Sequence, residues 1–427
     1  MESQFQAYIA VAVFLLTYAL IISEKIHRTV VALFGGLLVI FLGILEQEKA
    51  IEMIDFNTLG LLAGMMIIVA ITKRTGLFEF LAIKSAKWAK GDPWLLMIAL
   101  STITAVASAL LDNVTTVLLI VPVTFSITQE LKINPIPFLV TEIIASNIGG
   151  TATLIGDPPN IMIGSQTHLG FMDFVINLAL PAIVIYIVTM ICLKFIYGKR
   201  LKVSDKLKQK VMAFDENEAI KDVPLLKKSL FVLGLTTLGF ILHQFVHMES
   251  ATIALGGGTL LMLLSRINPD HVLHEVEWPV IFFFIGLFVL VGGLEETGII
   301  EALAVKSLEI TGGEMVSTSM IILWLSAIAS AFVDNIPFVA TMIPLLKTMG
   351  ELGGMTNIDP FWWSLALGAC LGGNGTLIGA SANVIVAGMA EHRKHHISFL
   401  GYMKIAFPLM IMSIIISSIY VYLRYLM

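Results

Sequence analysis

The sequence predicts an all-α polytopic membrane protein built as two inverted-topology repeats, with about ten transmembrane helices, two re-entrant hairpins and two broken helices. Three observations carry this expectation. The 427 residues are 57% apolar and only 13% charged, where a soluble domain carries about 25% charge. Apolar runs long enough to cross a bilayer recur along the whole chain. Two segments of the first half return in the second at a nearly constant offset of 222 or 223 residues.

The composition excludes several classes. An ordinary soluble enzyme and a disordered chain both need far more charge. Two cysteines, Cys192 and Cys370, exclude a disulfide scaffold and a site of several thiolates. No P-loop, HExxH or Gly-x-Ser-x-Gly pattern is present, so the expectation is a protein that is not an enzyme. The start, Met1-Glu2-Ser3-Gln4, lacks the basic segment of a secretory leader.

The first run, 5–22, is long enough to span, and single spans also fit 29–45, 56–72, 174–196, 229–247, 251–267, 278–294 and 403–423. The segments 93–131 and 315–350 each read as two short helices joined by a polar tip, the re-entrant hairpins. The runs 137–167 and 360–391 are apolar but interrupted by Gly, Asn, Asp or Pro, as broken helices would be. Residues 1–197 therefore form the first repeat and 229–427 the second. Between them, 198–228 is a basic linker with nine Lys/Arg and five Asp/Glu.

Placing both termini outside puts 22 of the 26 Lys and Arg residues on the inner side, the linker among them. That matches the tendency of cytoplasmic loops to be basic, so the expected location is the plasma (inner) membrane with the linker cytoplasmic. The repeat is specific. Residues 105–113, AVASALLDN, match 327–335, AIASAFVDN, at six of nine positions, and 149–160, GGTATLIGDPPN, match 372–383, GGNGTLIGASAN, at seven of twelve. Lys73-Arg74 precedes the first Thr-Gly and Glu295-Glu296 the second. The same corner is thus basic in one half and acidic in the other, as opposite orientations require.

Polar residues interrupt the apolar runs at four places. Asp112 and Asp334, each followed by an asparagine (Asn113 and Asn335), can cap one short helix and begin the next. Gly149-Gly150 and Gly372-Gly373 allow close approach of another segment. Asp157-Pro158-Pro159 can start a second half-helix, though its counterpart in the other repeat is Ala380. Non-helical backbone at membrane depth persists only when buried in protein or facing a wet cavity, so four such points imply one polar centre. A carboxylate at that depth costs at least ~2.5–3.5 kcal/mol. Two at matching places are expected as ligands or proton carriers, the alternative being surface caps.

The stretches SNIGGTATLIGDPPNIMIG (146–164), LLDNVTTVLLIVP (110–122) and LGGNGTLIGASANVIVAG (371–388) resemble the arsenite permease, sodium–proton antiporter and P-protein group of the ion-transporter superfamily, relatives of the divalent-anion–sodium symporters. The resemblance implies a homodimer with a scaffold and a transport domain, moving as an elevator. The binding residues it implies are Asp112, Asn113, Thr115, Asn147, Gly149, Gly150, Thr151, Thr153, Asp157 and Asn160 in the first half. In the second they are Asp334, Asn335, Gly372, Gly373, Asn374, Thr376, Ser381 and Asn383. A sodium ion would sit at Asp112, Asn113, Asp334 and Asn335.

No cofactor is expected beyond the coupling ion, a proton, sodium or both. Divalent-anion relatives carry uncharged residues at the hairpin tips, whereas this chain carries Asp at both, which disfavours a dianion. The expected cargo is a small inorganic ion or a neutral metalloid. Proton-coupled antiport with sodium leads, with arsenite or antimonite efflux as the alternative. Further alternatives are anion transport and a channel-like subunit working with a separate ATPase. Nucleic acid is not an expected partner.

Overall fold

The computed structural model describes residues 2–427 apart from 24, 199, 200 and 202. Met1 and three linker cations, Lys199, Arg200 and Lys202, therefore lie outside the described residues.

The first half runs α1 (Glu2–Ser23), α2 (Arg28–Phe41), a short α3 (Gln47–Glu52), α4 (Phe56–Lys73) and α5 (Leu77–Trp88). It continues with α6 (Pro93–Leu110), α7 (Asn113–Glu130), α8 (Ile136–Thr151), α9 (Pro158–Ser165) and α10 (Phe171–Tyr197). A connecting α11 (Asp205–Met212) leads to the second half: α12 (Val223–Val246), α13 (Ser250–Ser265), a short α14 (Pro269–Leu273), α15 (Trp278–Glu296) and α16 (Ile299–Thr311). Then follow α17 (Met315–Phe332), α18 (Asn335–Leu352), α19 (Asp359–Gly372), α20 (Ser381–His392) and α21 (Phe399–Val421). No strand occurs among the described residues. Among the described residues eight helices are long and apolar enough to cross a membrane: α1, α4, α6, α10, α12, α15, α17 and α21 with its terminal turn. Two shorter apolar helices, α2 and α13, add to them. This is an all-α polytopic membrane protein.

The two hairpins (α6–α7, α17–α18) and the two broken helices (α8–α9, α19–α20) begin and end within two residues of the expected bounds. Proline punctuates them as its missing N–H dictates, standing in the first turn of α6, α8, α9 and α19.

Two packing units position the polar centre. In one, α4 lies along α13 and α15 along α2. The contact is backbone to backbone. A Cβ on Gly64 would stand 2.3 Å from the Ala254 carbonyl carbon, and one on Gly286 would stand 2.5 Å from that of Ala32. Small residues permit such approach between membrane helices. In the other unit α6 packs on α8 and α17 on α19, again through glycine. A Cβ on Gly149 would lie 2.1 Å from the Ala105 carbonyl oxygen, and one on Gly372 would lie 2.5 Å from that of Ala327.

The linker differs from a free tether. Helix α12 starts at Val223, where Asp222 accepts from the Leu225 N–H at 2.8 Å, so Lys227 and Lys228 belong to that helix and not to the linker. Residues 216–221 are docked on α5. The Lys221 N–H donates to the Thr75 carbonyl at 3.0 Å, and Lys87 pairs with Glu216. Gly76, at φ +79°, leaves room for the Ala219 carbonyl that any Cβ would strike. The sequence signal for this dock was weak, because its partners, Thr75, Glu79 and Lys87, lie far away in sequence.

Candidate functional site: a carboxylate-lined polar centre

Each hairpin tip is capped by its aspartate. The Asp112 carboxylate accepts from the Thr115 N–H at 2.8 Å and from the Thr115 hydroxyl at 2.5 Å. The matching position to Thr115 is Pro337, so Asp334 has no such hydroxyl. It accepts from the Ile336 N–H at 3.1 Å, from the Ser381 hydroxyl at 2.8 Å and from the Arg28 guanidinium at 2.7 Å.

The breaks in the two broken helices are tied to the hairpins by the same bonds twice over. Ser108 donates to the Ser146 carbonyl at 2.7 Å and Ser330 to the Ala369 carbonyl at 2.6 Å. Thr153 donates to the Ala109 carbonyl and Thr376 to the Ala331 carbonyl, each at 2.5 Å. Asn160 and Asn383 reach back across their own breaks to main-chain carbonyls. The backbone exposed by each interruption is thereby satisfied inside the protein, as burial demands.

An amide chain crosses between the halves. Asn113 donates to the Asn147 side-chain oxygen at 3.2 Å, and Asn147 donates to Asn374 at 3.0 Å and to Asn383 at 2.9 Å. In the other direction Asn335 donates to both Asp157 oxygens, at 3.2 and 3.4 Å. Cys370 occupies the position that matches Asn147, and its thiol points to the Asn160 side-chain oxygen at 3.5 Å. The thiol thus serves as a small buried partner of an amide.

At the meeting point lies a cleft of about 20 Å³, lined by Asp112, Asn113, Asp157, Asn335, Ser381, Arg28 and Glu277 with apolar neighbours such as Leu62 and Val280. That is room for one water-sized species. Two larger cavities adjoin it. One of about 230 Å³ is lined by Ile22, His27, Arg28, Asp334 and Ser381 among others. One of about 250 Å³ is lined by Lys73, Thr115, Glu275 and Glu277 with apolar residues of α4 and α7.

The structure thus brings five of the expected residues to the central cleft: Asp112, Asn113, Asp157, Asn335 and Ser381. Asp334 faces the neighbouring 230 Å³ cavity and Thr115 the 250 Å³ one. Asn147, Asn160, Asn374 and Asn383 lie buried behind the lining, as do Thr153 and Thr376, whose hydroxyls hold backbone. Thr151 donates back into its own helix, to the Asn147 carbonyl at 2.7 Å. Gly149, Gly150, Gly372 and Gly373 provide close packing. At the four residues expected to hold sodium, a cation would have to compete with Thr115 at Asp112 and with Arg28 at Asp334. Among the described residues no cluster of three His, Cys, Asp or Glu side chains could hold a metal ion.

Two lining residues were missed from the sequence. Arg28 was counted as a loop charge, and Glu277 was passed over at the start of α15. Their common signal was a charge at the first turn of an apolar helix, which alone does not tell a lining residue from a surface one.

Comparison with known proteins fits this geometry. The family model described as CitMHS, citrate transporter, matches residues 18–368. The chain belongs to the CitMHS family. Among its relatives, the uncharacterized transporter Rv2684 of Mycobacterium tuberculosis is 43% identical over 98% of both chains. A 46 kDa membrane protein of Mycobacterium leprae is 40% identical over 98% of this chain and 99% of that one. The human P protein is 36% identical over 97% of this chain and 59% of its own length, so the P-protein resemblance in the 146–164 motif extends over nearly the whole sequence. The crystal structure of the Alcanivorax borkumensis YdaH transporter, titled as revealing an unusual topology, superposes with a TM-score of 0.60 at 14% identity and covers 98% of each chain. That likeness concerns the fold. The CitMHS chain described here is a membrane transporter.

Proposed function

We propose that this transporter is a secondary carrier that couples proton movement to a small cation, with sodium as the leading cargo. The observation that supports it most is the lining of the central cleft. Asp112, Asp157 and Glu277 converge there from three different elements, with two amides beside them, in a space of about 20 Å³. A carboxylate is the side chain that carries either a proton or a metal cation. Among the described residues no three of them stand close enough to grip a metal ion jointly, so each lining carboxylate is a single exchange point beside a water-sized space. The matching caps and breaks in the two halves support a pair of inverted repeats sharing that cleft, as in carriers with discontinuous helices. The basic charge gathered in 198–228, the linker and the first turns of α12, supports a cytoplasmic placement of this connection.

Anion transport is the second reading. Arg28 at the edge of the cleft and the citrate transporter description of the family favour it. Against it stands the excess of carboxylates, which would repel a dianion.

The test is a panel of purified protein in sealed vesicles with a pH-sensitive dye inside: sodium, lithium, arsenite, antimonite and citrate, each with no ATP. Sodium or lithium gradients that move protons support the proposal. Proton movement with citrate alone supports the second reading, and flux indifferent to every gradient removes both.

A further inference from the structure

Among the described residues Arg28 is the one cation on the wall of the central cleft, and the way it is held is unusual. It is the first residue of α2, where the helix dipole disfavours a positive charge. Its own helix therefore does not stabilise it, and its partners come from elsewhere. The guanidinium sits 5.0 Å from the centre of the Phe283 ring of α15. From there it donates to Asp334 at the tip of the second hairpin and to Ser381, the first residue of α20, at 2.7 and 2.5 Å. One side chain so joins the α2–α15 unit to the second hairpin and to α20.

Among the described residues the first half has no such device. Thr115 satisfies Asp112 where Pro337 leaves Asp334 open, and Pro158 stands where Ser381 does. Arg28 and Ser381 also line both the 230 Å³ cavity and the central cleft, so the pair stands at the boundary between them.

We propose that Arg28 is a resident counter-cation: it occupies Asp334 when no cargo is bound, latches the second hairpin and α20 against α2 and α15, and yields to an arriving cation. The competition rests on the cation-exchange reading above. The latch does not. A guanidinium suits this role because it stays charged at any physiological pH and can bond two partners at once.

The test uses full-length protein with Cys192→Ser and a reporter cysteine at Val280, which lines the central cleft. A membrane-impermeant thiol reagent should label it slowly. In Arg28→Gln the labelling rate should rise roughly tenfold, the scale of one lost charge-assisted hydrogen bond. The charge swap Arg28→Asp with Asp334→Arg should return it to the slow rate, and Arg28→Lys should fall between. An unchanged labelling rate in Arg28→Gln, or a swap that labels as fast as the single variant, overturns the latch. In vesicles, Arg28→Gln should lower the half-saturating concentration of the driving cation while slowing maximal flux. A half-saturation that stays put or rises overturns the competition. If the parent protein shows no cation-driven flux at all, the function proposal fails, and the competition with it, while the labelling result still decides the latch.

Discussion

Asn160 and Asn383, 223 residues apart in the sequence, close equivalent gaps. Asn160 donates to the Gly150 and Thr153 carbonyls at 3.4 and 2.8 Å, and Asn383 to the Gly373 and Thr376 carbonyls at 2.7 and 2.9 Å. Both amides are fully buried. Each replaces the hydrogen bonds that a continuous helix would have made.

Removing either amide leaves buried carbonyls unpaired. Asn160→Ala and Asn383→Ala should each cost about 1–3 kcal/mol. The loss at Asn383 should be the larger, because its side-chain oxygen accepts from the Asn147 amide, a stronger donor than the Cys370 thiol that faces Asn160. Thermal unfolding of detergent-purified protein reads this out. Equal stability in all three proteins would show that water replaces the amides at no cost.

The glycine crossings give a second expectation. Gly64→Ala and Gly286→Ala place a methyl group against a facing main chain that cannot rotate away. Each should destabilise by roughly 1–3 kcal/mol, the cost of overpacking. Gly256 has open space around its Cβ position, so Gly256→Ala in the interior of α13 should be neutral or stabilising. The order of melting temperatures across the three variants checks it.

Much of this arrangement was legible in the sequence. The hairpins, the breaks and the aspartate tips followed from polar residues in apolar runs and from their recurrence 222 or 223 residues later. What was not legible came from side chains whose partners lie far off in sequence. Arg28 meets Asp334 across 306 residues, and no local pattern marks that pairing. Glu277 lies next to a loop, so its charge looked ordinary. The docked segment 216–221 is held by a main-chain bond, Lys221 to Thr75, and by ion pairs of Glu216 with Lys87 and of Lys221 with Glu79, partners 129 or more residues away in sequence.

Glu142 is a further buried carboxylate, outside the central cleft. It accepts from the Thr124 hydroxyl at 2.5 Å, while its second oxygen has no partner. The matching positions are Leu365 and Leu346, both fully buried, so this packing tolerates an apolar pair. Glu142→Leu with Thr124→Leu should fold and melt at or above the parent temperature, since replacing both partners of a buried polar pair by apolar groups is often neutral or stabilising. Thr124→Val alone strips the carboxylate of its donor and should cost about 1–3 kcal/mol. A double variant less stable than Thr124→Val would contradict this.

The linker dock should depend on acidity. Lys87, hydrogen-bonded to Glu216, holds the Glu216 carboxyl below its ordinary value. A depressed carboxyl stabilises the docked state above its unfolded pKa, near 4.3. That contribution falls away as pH drops below this value and is gone once the docked carboxyl is also protonated. Pepsin cleavage within 198–228 should therefore accelerate between pH 5 and pH 3 more in the parent than in Glu216→Gln, whose dock lacks the pair at every pH. Parallel curves for the two proteins would remove the pair as an anchor.

The central claim is that carboxylates gathered from both halves exchange protons for a cation. Sodium uptake driven by an imposed proton gradient into vesicles tests it most directly, comparing the parent with an Asp112→Asn/Asp334→Asn double variant matched for amount and melting temperature. Uptake in the parent that falls to the protein-free level in the variant is the expected result. Equal uptake by the two proteins would contradict the account.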